Sequence, residues 1–226
     1  MRRGVEPENA AEFWDGRYAQ GLVYGTEPTS VARRLMEVFR THGVRTILEA
    51  GCGSGRDALF YAREGFEVTG TEISENALRW ARDRAETEGL RLSLRRDDLA
   101  ETGLPPEAFD ASVAIHLIHL QPAPVRQTLV NQLWRLIRDG GLIAMANYSI
   151  NEAGYTTWEP ALEPHTRRNP RGKLIHFFEE AELRALLPPD RFDLLTFEEV
   201  DLAEVPDGGP LTHREWLVIA RKIRAC

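Results

Sequence analysis

A short strand pattern, TILEA, runs without a linker into Gly51-Cys52-Gly53-Ser54-Gly55, and the residues that follow, RDALFYARE, read as the start of a helix. Glycines at a strand-to-helix turn let the backbone bend tightly and approach a ligand with no Cβ in the way. The chain is thereby constrained to an α/β unit with a ligand-facing loop at the carboxyl end of its first strand. The spacing narrows the choice of ligand. Gly51-x-Gly53-x-Gly55 has a glycine at every second position, whereas a dinucleotide fingerprint requires G-x-G-x-x-G, and position 56 is Arg. Glu72 closes the next strand about 20 residues on, where a carboxylate can accept both hydroxyls of a ribose. A tight turn without a ligand and a solvated strand end explain these features singly; together they point to an adenosine-containing ligand.

The surrounding pattern supports that frame. From about Val44 to Ser149, short apolar runs (45–50, 66–72, 90–96, 109–116 and 142–148) alternate with amphipathic segments, as in a βαβ array with a mostly parallel sheet. Ala77, Leu78, Ala81 and Ala85 share one helical face, as do Val125, Leu129, Leu133, Leu136 and Ile137. Ser74 suits an N-cap, and Gly89 and Gly140 suit helix stops. Residues 151–173 break the period with Pro, Gly, aromatic and charged residues, which predicts a long connecting loop of the kind used as a lid. A short helix is expected over 178–187, then two strands (192–201 and 214–222) joined through PDGGPL as an antiparallel hairpin at the sheet edge.

Composition excludes several classes. The chain has 226 residues with 42% hydrophobic content, enough for one domain over 1–226. Its net charge of -7 has the wrong sign for a phosphate-backbone binder, so no nucleic-acid partner is expected. With two cysteines, one in the glycine loop and one at the last position, no disulfide framework is expected. No apolar run approaches the roughly 20 residues that span a bilayer. A cytoplasmic protein with no membrane partner and no metal is the expectation.

The stretch ILEAGCGSGRDALFYAREGFEVTGTEISENAL resembles the first two motifs of the class I S-adenosylmethionine-dependent methyltransferases. The resemblance implies a doubly wound, seven-stranded, mostly parallel Rossmann-like sheet in the order 3-2-1-4-5-7-6, its last strand antiparallel in a C-terminal hairpin. It also implies S-adenosylmethionine as cofactor and S-adenosylhomocysteine as product. Gly51, Gly53 and Gly55 would back the methionine part, and Glu49 stands where the family has Asp or Glu. Glu72, with Ile73 beside it, would hold the ribose. Asp98 matches the acid that contacts the adenine amino group, with Leu99 next to it and Asp97 as rival. FWDGRYAQGLVYGTEPTSVARRLM, GCGSGRDALFYAREG and HFFEEAELRALL are similar to the lid, first motif and late helix of the tellurite-resistance and thiopurine methyltransferase-like group. On this reading 1–43 is an N-terminal lid and helix, 44–149 the cofactor core, 150–176 a substrate-lid loop, and 177–226 the C-terminal helix and hairpin. Tyr24 in the YG pair is the favoured cofactor wall, ahead of Trp14 and Tyr18.

Methyl transfer from a sulfonium is an in-line displacement, so the protein mainly positions the reactants and excludes water. A neutral nucleophile gains from a base near neutrality, usually histidine. AIHLIHL places His116 and His119 at the carboxyl edge of strand four; the resemblance implies that His116 lines the cofactor pocket and His119 faces substrate, the alternative being that either one only caps the next helix at Pro122. The segment lacks the Asn/Asp-Pro-Pro-aromatic signature of enzymes that methylate exocyclic amines of bases. Trp158, His165, Arg167, Arg168, Lys173, His176, His213 and Arg214 form a mostly cationic set in an acidic chain, and Arg167 and His213 join His119 as catalytic candidates. The acceptor is expected to be a small molecule, a thiol or a tellurite- or selenite-like anion. An NAD-dependent oxidoreductase and a non-catalytic binder of S-adenosylmethionine are the alternatives.

Overall fold

The computed structural model describes residues 10–204 and 211–223. Two helices, α1 (Ala10–Tyr18) and α2 (Ser30–Thr41), precede the strand–glycine–helix unit, which is formed by β1 (Thr46–Ala50) and α3 (Arg56–Arg63). β2 (Glu67–Glu72), α4 (Glu75–Thr87), β3 (Ser93–Arg96) and β4 (Phe109–Ile115) continue the alternation, and α5 (Ala123–Leu136) leads into β5 (Ile137–Tyr148). β1 pairs in parallel with β2 and β4, and β5 in parallel with β4. After a segment described below, β9 (Phe192–Glu204) and β10 (Leu211–Lys222) form the antiparallel hairpin. β10 lies antiparallel against β5, so the sheet order is β3-β2-β1-β4-β5-β10-β9. This is the doubly wound seven-stranded sheet expected from the sequence.

The apolar runs are continuous because the central strands are covered on both faces. Ile47, Val113, Ala144 and Leu217 join Leu35 and Phe39 of α2 in one core, whereas Leu48, Ala114, Met145 and Val218 join Leu129 and Leu133 of α5 in the other. Neighbours in one strand thus feed opposite layers, as the period of 2 demands.

Local signals hold in part. Ser74 caps α4, its side chain accepting from Ala77 N–H, and Gly89 follows the helix at φ +64. Gly140 does not stop α5. The helix ends at Leu136, and Ile137 pairs with Phe109 as the first residue of β5, so Ile137 is a strand residue and not part of the helical face. Gly140 instead turns the backbone at φ +74 within that irregular stretch. The late helix is shorter than expected, α7 (Glu180–Ala185), because Phe178 bridges to Ser149 and accepts from the Trp216 indole at 3.0 Å.

The expected lid loop is largely ordered structure. It folds into α6 (Ala153–Thr157) and a second sheet of β6 (Glu159–Pro160), β7 (Thr166–Arg168) and β8 (Leu174–His176). Arg126 of α5, almost fully buried, ion-pairs with Glu163 and Glu182, and His176 bonds Glu182 at 2.8 Å, so this cap is bolted to α5 and α7. The PDGGPL turn falls mostly outside the described residues, as does Cys226. No helix among the described residues is long and apolar enough to cross a membrane.

Candidate active site

The carboxyl ends of β1, β2 and β4 open into a cavity of about 780 Å³, within the range of about 300 to 1,000 Å³ for small-molecule and cofactor sites. Its floor is the glycine turn. Gly51, Gly53 and Gly55 all have positive φ, but their missing side chains serve different neighbours. A Cβ on Gly51 would lie 3.0 Å from Leu117, one on Gly53 only 2.5 Å from the Tyr18 hydroxyl, and one on Gly55 only 2.9 Å from the Ala81 Cβ. Gly51 and Gly53 face the cavity; Gly55 is the N-cap of α3 and lets α3 and α4 pack closely.

Three buried carboxylates line this floor, of which Asp57 is already engaged by Thr29 N–H and Oγ; Glu72 and Glu49 remain. Glu72 accepts from Gly53 N–H (3.1 Å), Ile73 N–H (2.8 Å) and Ser74 N–H (2.9 Å), which fixes it at the end of β2. Its burial raises its pKa despite those three donors. Glu49 is more exceptional. It is 5% exposed, lines the cavity, and its Oε2 is buried with no hydrogen-bond partner. Burial, then the nearby Asp57, pushes its pKa well above the carboxylate range. A buried carboxylate without a partner is costly unless a cation or donor meets it.

At the far side of Glu72, Asp97, Asp98 and Leu99 line the cavity. One Asp98 oxygen caps Ala100 N–H at 2.9 Å, and Asp97 is engaged by the Thr102 hydroxyl at 2.6 Å. Asp98 is the more exposed of the two. Tyr24 also lines the cavity, beneath the Arg56 guanidinium, as does Tyr18, the last residue of α1, whose hydroxyl lies against Gly53.

Beyond Gly51 lies an end rich in rings and nitrogens. His116 is held at φ +55 with Nε2 2.8 and 2.9 Å from the two oxygens of the buried Glu215. His119 is fully enclosed; its Nδ1 accepts from Tyr148 N–H at 3.3 Å, so its proton resides on Nε2. Burial, then His116 and Lys173, holds its pKa well below the usual histidine range. His119 lines the cavity and is bonded to β5, and it does not cap α5. The Tyr148 ring lies tilted against both His119 (4.7 Å) and His213 (4.9 Å).

Lys173 reaches the cavity from the tip of the cap, 4.3 Å over the Trp14 ring. Burial, then Arg17, lowers its pKa to about 7. The chain has only one other lysine, Lys222, which is 3% exposed and donates to Ile137 C=O at 2.9 Å. Acylation with acetic anhydride at pH 7.5 is therefore expected to label Lys173 several-fold faster than Lys222, read by peptide mass spectrometry. Equal rates would contradict the placement of Lys173.

The remaining cationic candidates do not converge here. Arg167 donates to Tyr155 C=O (2.9 Å) and lies 4.1 Å over that residue's ring; it does not line the cavity. Arg168 bonds Gly172 C=O, His165 the Tyr155 hydroxyl, His176 the Arg126 network, and Arg214 pairs with Glu199 and Asp201. His213 and Trp158 do line it. Glu215 and Glu152, which hold His116 and His213, escaped the sequence reading because each is about 60 to 100 residues from its partner. Among the described residues, no group of three or more His, Cys, Asp and Glu is placed to hold a metal ion.

Residues 47–141 match a family profile described as "Methyltransferase domain". A phosphatidylethanolamine N-methyltransferase of Cereibacter sphaeroides is 32% identical over 133 residues, 58% of this chain and 64% of that protein. The chain spans between about half and two thirds of the length of the curated relatives it matches first. A solved structure from work on the conversion of a disulfide bond into a thioacetal group in echinomycin biosynthesis superimposes with a TM-score of 0.76 at 21% identity, covering 95% of this chain and 93% of that one. TehB of Haemophilus influenzae superimposes with a TM-score of 0.65 at 18% identity, covering 92% and 67%. The fold is shared with both, and the tellurite-resistance group expected from the sequence is not singled out.

Proposed function

We propose that this chain, whose residues 47–141 match a methyltransferase-domain profile, is a class I S-adenosylmethionine-dependent enzyme that transfers a methyl group from S-adenosylmethionine to a small-molecule acceptor. The observation that carries the cofactor reading is the orphaned Oε2 of Glu49 at the floor of the glycine turn. A methionine ammonium supplies the donor and the charge that this oxygen lacks, whereas a dinucleotide would bring a pyrophosphate anion toward these buried carboxylates. In this reading Glu72 keeps its three backbone donors and accepts from the ribose at the one site left on Oε2, Asp98 and Leu99 meet the adenine, and Tyr18 and Tyr24 exclude water. When bound, the cofactor supplies an electrophilic methyl carbon; the acceptor's electron pair forms the new bond, and the carbon–sulfur pair stays with sulfur.

The acceptor is a small molecule that enters beside Lys173 and the histidines. A thiol or tellurite-like anion draws no support from Arg167, which is spent on Tyr155. Calorimetry tests the cofactor assignment. S-adenosylhomocysteine is expected to bind and NAD not to, and Glu72→Ala to weaken S-adenosylhomocysteine by about 1 to 3 kcal/mol, the cost of removing an acceptor on which a buried hydroxyl depends. Binding of NAD in place of S-adenosylhomocysteine would overturn the reading.

A further inference from the structure

Resting on that cofactor reading, we infer that His213, held by Glu152, is the base that deprotonates the acceptor, and that the acceptor is a hydroxyl on a planar aromatic ring. Three histidines line the cavity, and their hydrogen bonds assign them different roles. His119 accepts at Nδ1 from a backbone N–H, so the nitrogen left to it is already a donor. His116 is gripped through Nε2 by both oxygens of Glu215. His213 is also paired with a carboxylate, through the other ring nitrogen: Nδ1 faces Glu152 Oε1 at 3.3 Å, and Nε2 has no hydrogen-bond partner among the described residues. A carboxylate on Nδ1 fixes the tautomer that leaves Nε2 free to take a proton and then stabilises the imidazolium.

Glu152 is built for this. It is 8% exposed, immediately precedes α6, and its other oxygen accepts from Arg214 N–H at 2.6 Å, so it cannot swing away from His213. Burial works to raise its pKa, but the bonds from His213 and Arg214 outweigh this and keep it ionised. Around His213 stand the Glu152 carboxylate and the Tyr148 ring, which His119 also touches. Neither Glu152 nor His213 lies within the segment 47–141 that matches the general domain.

The walls choose the acceptor. The Tyr148 ring lies against the histidines and Trp158 near it through Phe177, both lining the cavity, and flat rings stack on flat rings. A soft oxyanion would need neither a base nor such walls. A phenolic hydroxyl needs both: its proton passes to His213 Nε2 as its oxygen pair attacks the methyl carbon, and the imidazolium later returns that proton to water.

The test uses 4-nitrophenol, whose phenol and phenolate forms differ in visible absorption, added to the S-adenosylhomocysteine-loaded protein at pH 6. The wild type is expected to bind it largely as phenolate, its absorption band growing with saturation. His213→Gln is expected to bind the ring with the phenolate band at least tenfold smaller, Glu152→Gln to show an intermediate band, and both to bind S-adenosylhomocysteine as the wild type does. A wild-type spectrum unchanged on mixing, or His213→Gln matching the wild type, overturns the assignment. Failure of the wild type to bind S-adenosylhomocysteine at all overturns the cofactor reading instead, so the two failures are distinguishable.

Discussion

Gly53→Val is expected to weaken S-adenosylhomocysteine binding at least 100-fold, about 3 kcal/mol, while leaving the sheet folded. Gly53 sits at φ +54, where a β-branched residue is strained, and its Cβ would fall 2.5 Å from the Tyr18 hydroxyl. The side chain would push α1 away and fill the space where ligand and backbone meet, whereas the cores on both faces of the sheet lie elsewhere. The geometry also predicts a partial rescue. The Tyr18 ring carbon behind the hydroxyl lies 3.4 Å from the same Cβ position, which neighbours tolerate with a small shift. Gly53→Ala combined with Tyr18→Phe should therefore bind more tightly than Gly53→Ala alone. A Gly53→Val protein with wild-type affinity by calorimetry would mean that the glycine serves only the turn.

Arg126→Met is expected to lower stability by about 2 to 4 kcal/mol, a fall in Tm of roughly 5 to 15 °C for a chain of this size. Arg126 is 3% exposed and paired with Glu163 and Glu182; these carboxylates are about one third exposed and can partly rehydrate, which keeps the cost below that of a fully buried pair. Methionine retains the apolar stem against Phe178, so the loss reports the charge. Because Glu163 belongs to the cap and Glu182 to α7, amide exchange in β6–β8 should quicken while S-adenosylhomocysteine affinity stays within a factor of two. An unchanged melting temperature would show that the cap is held by its apolar contacts alone.

The β1–α3–β2 unit was legible because its signals are local: a glycine turn, a cap at Ser74 and an acid at the end of β2 are each set by a few neighbouring residues. Gly140 misled because a glycine with positive φ serves an irregular strand entry as well as it serves a helix stop. The cap over 151–176 was hidden because its strands are two or three residues long and its stability comes from Arg126, about 40 residues earlier in the chain. At the site, the glycine turn and Glu72 were legible from spacing, whereas Glu49 and Asp98 were named only through the family resemblance. The ring-lined end was not legible, since a side chain such as Glu215 gains its meaning only when β10 inserts between β5 and β9. Arg167 shows the converse: a guanidinium near the right sheet edge can be consumed by its own neighbours.

The helix that supplies Tyr18 is tied to the ribose side of the cavity as well as to the glycine turn. Asp15 of α1 accepts from Ser74 Oγ (3.0 Å) and from Asn76 N–H (2.8 Å), directly after the residues whose amides bind Glu72, and Trp80 donates to Tyr18 C=O at 3.1 Å. Helix docking and ligand binding thus draw on one equilibrium. If only a fraction of molecules carry α1 in place, the observed dissociation constant is the intrinsic one divided by that fraction. Affinity measured for any ligand of this cavity is therefore, in part, a measurement of how firmly the chain holds its own first helix.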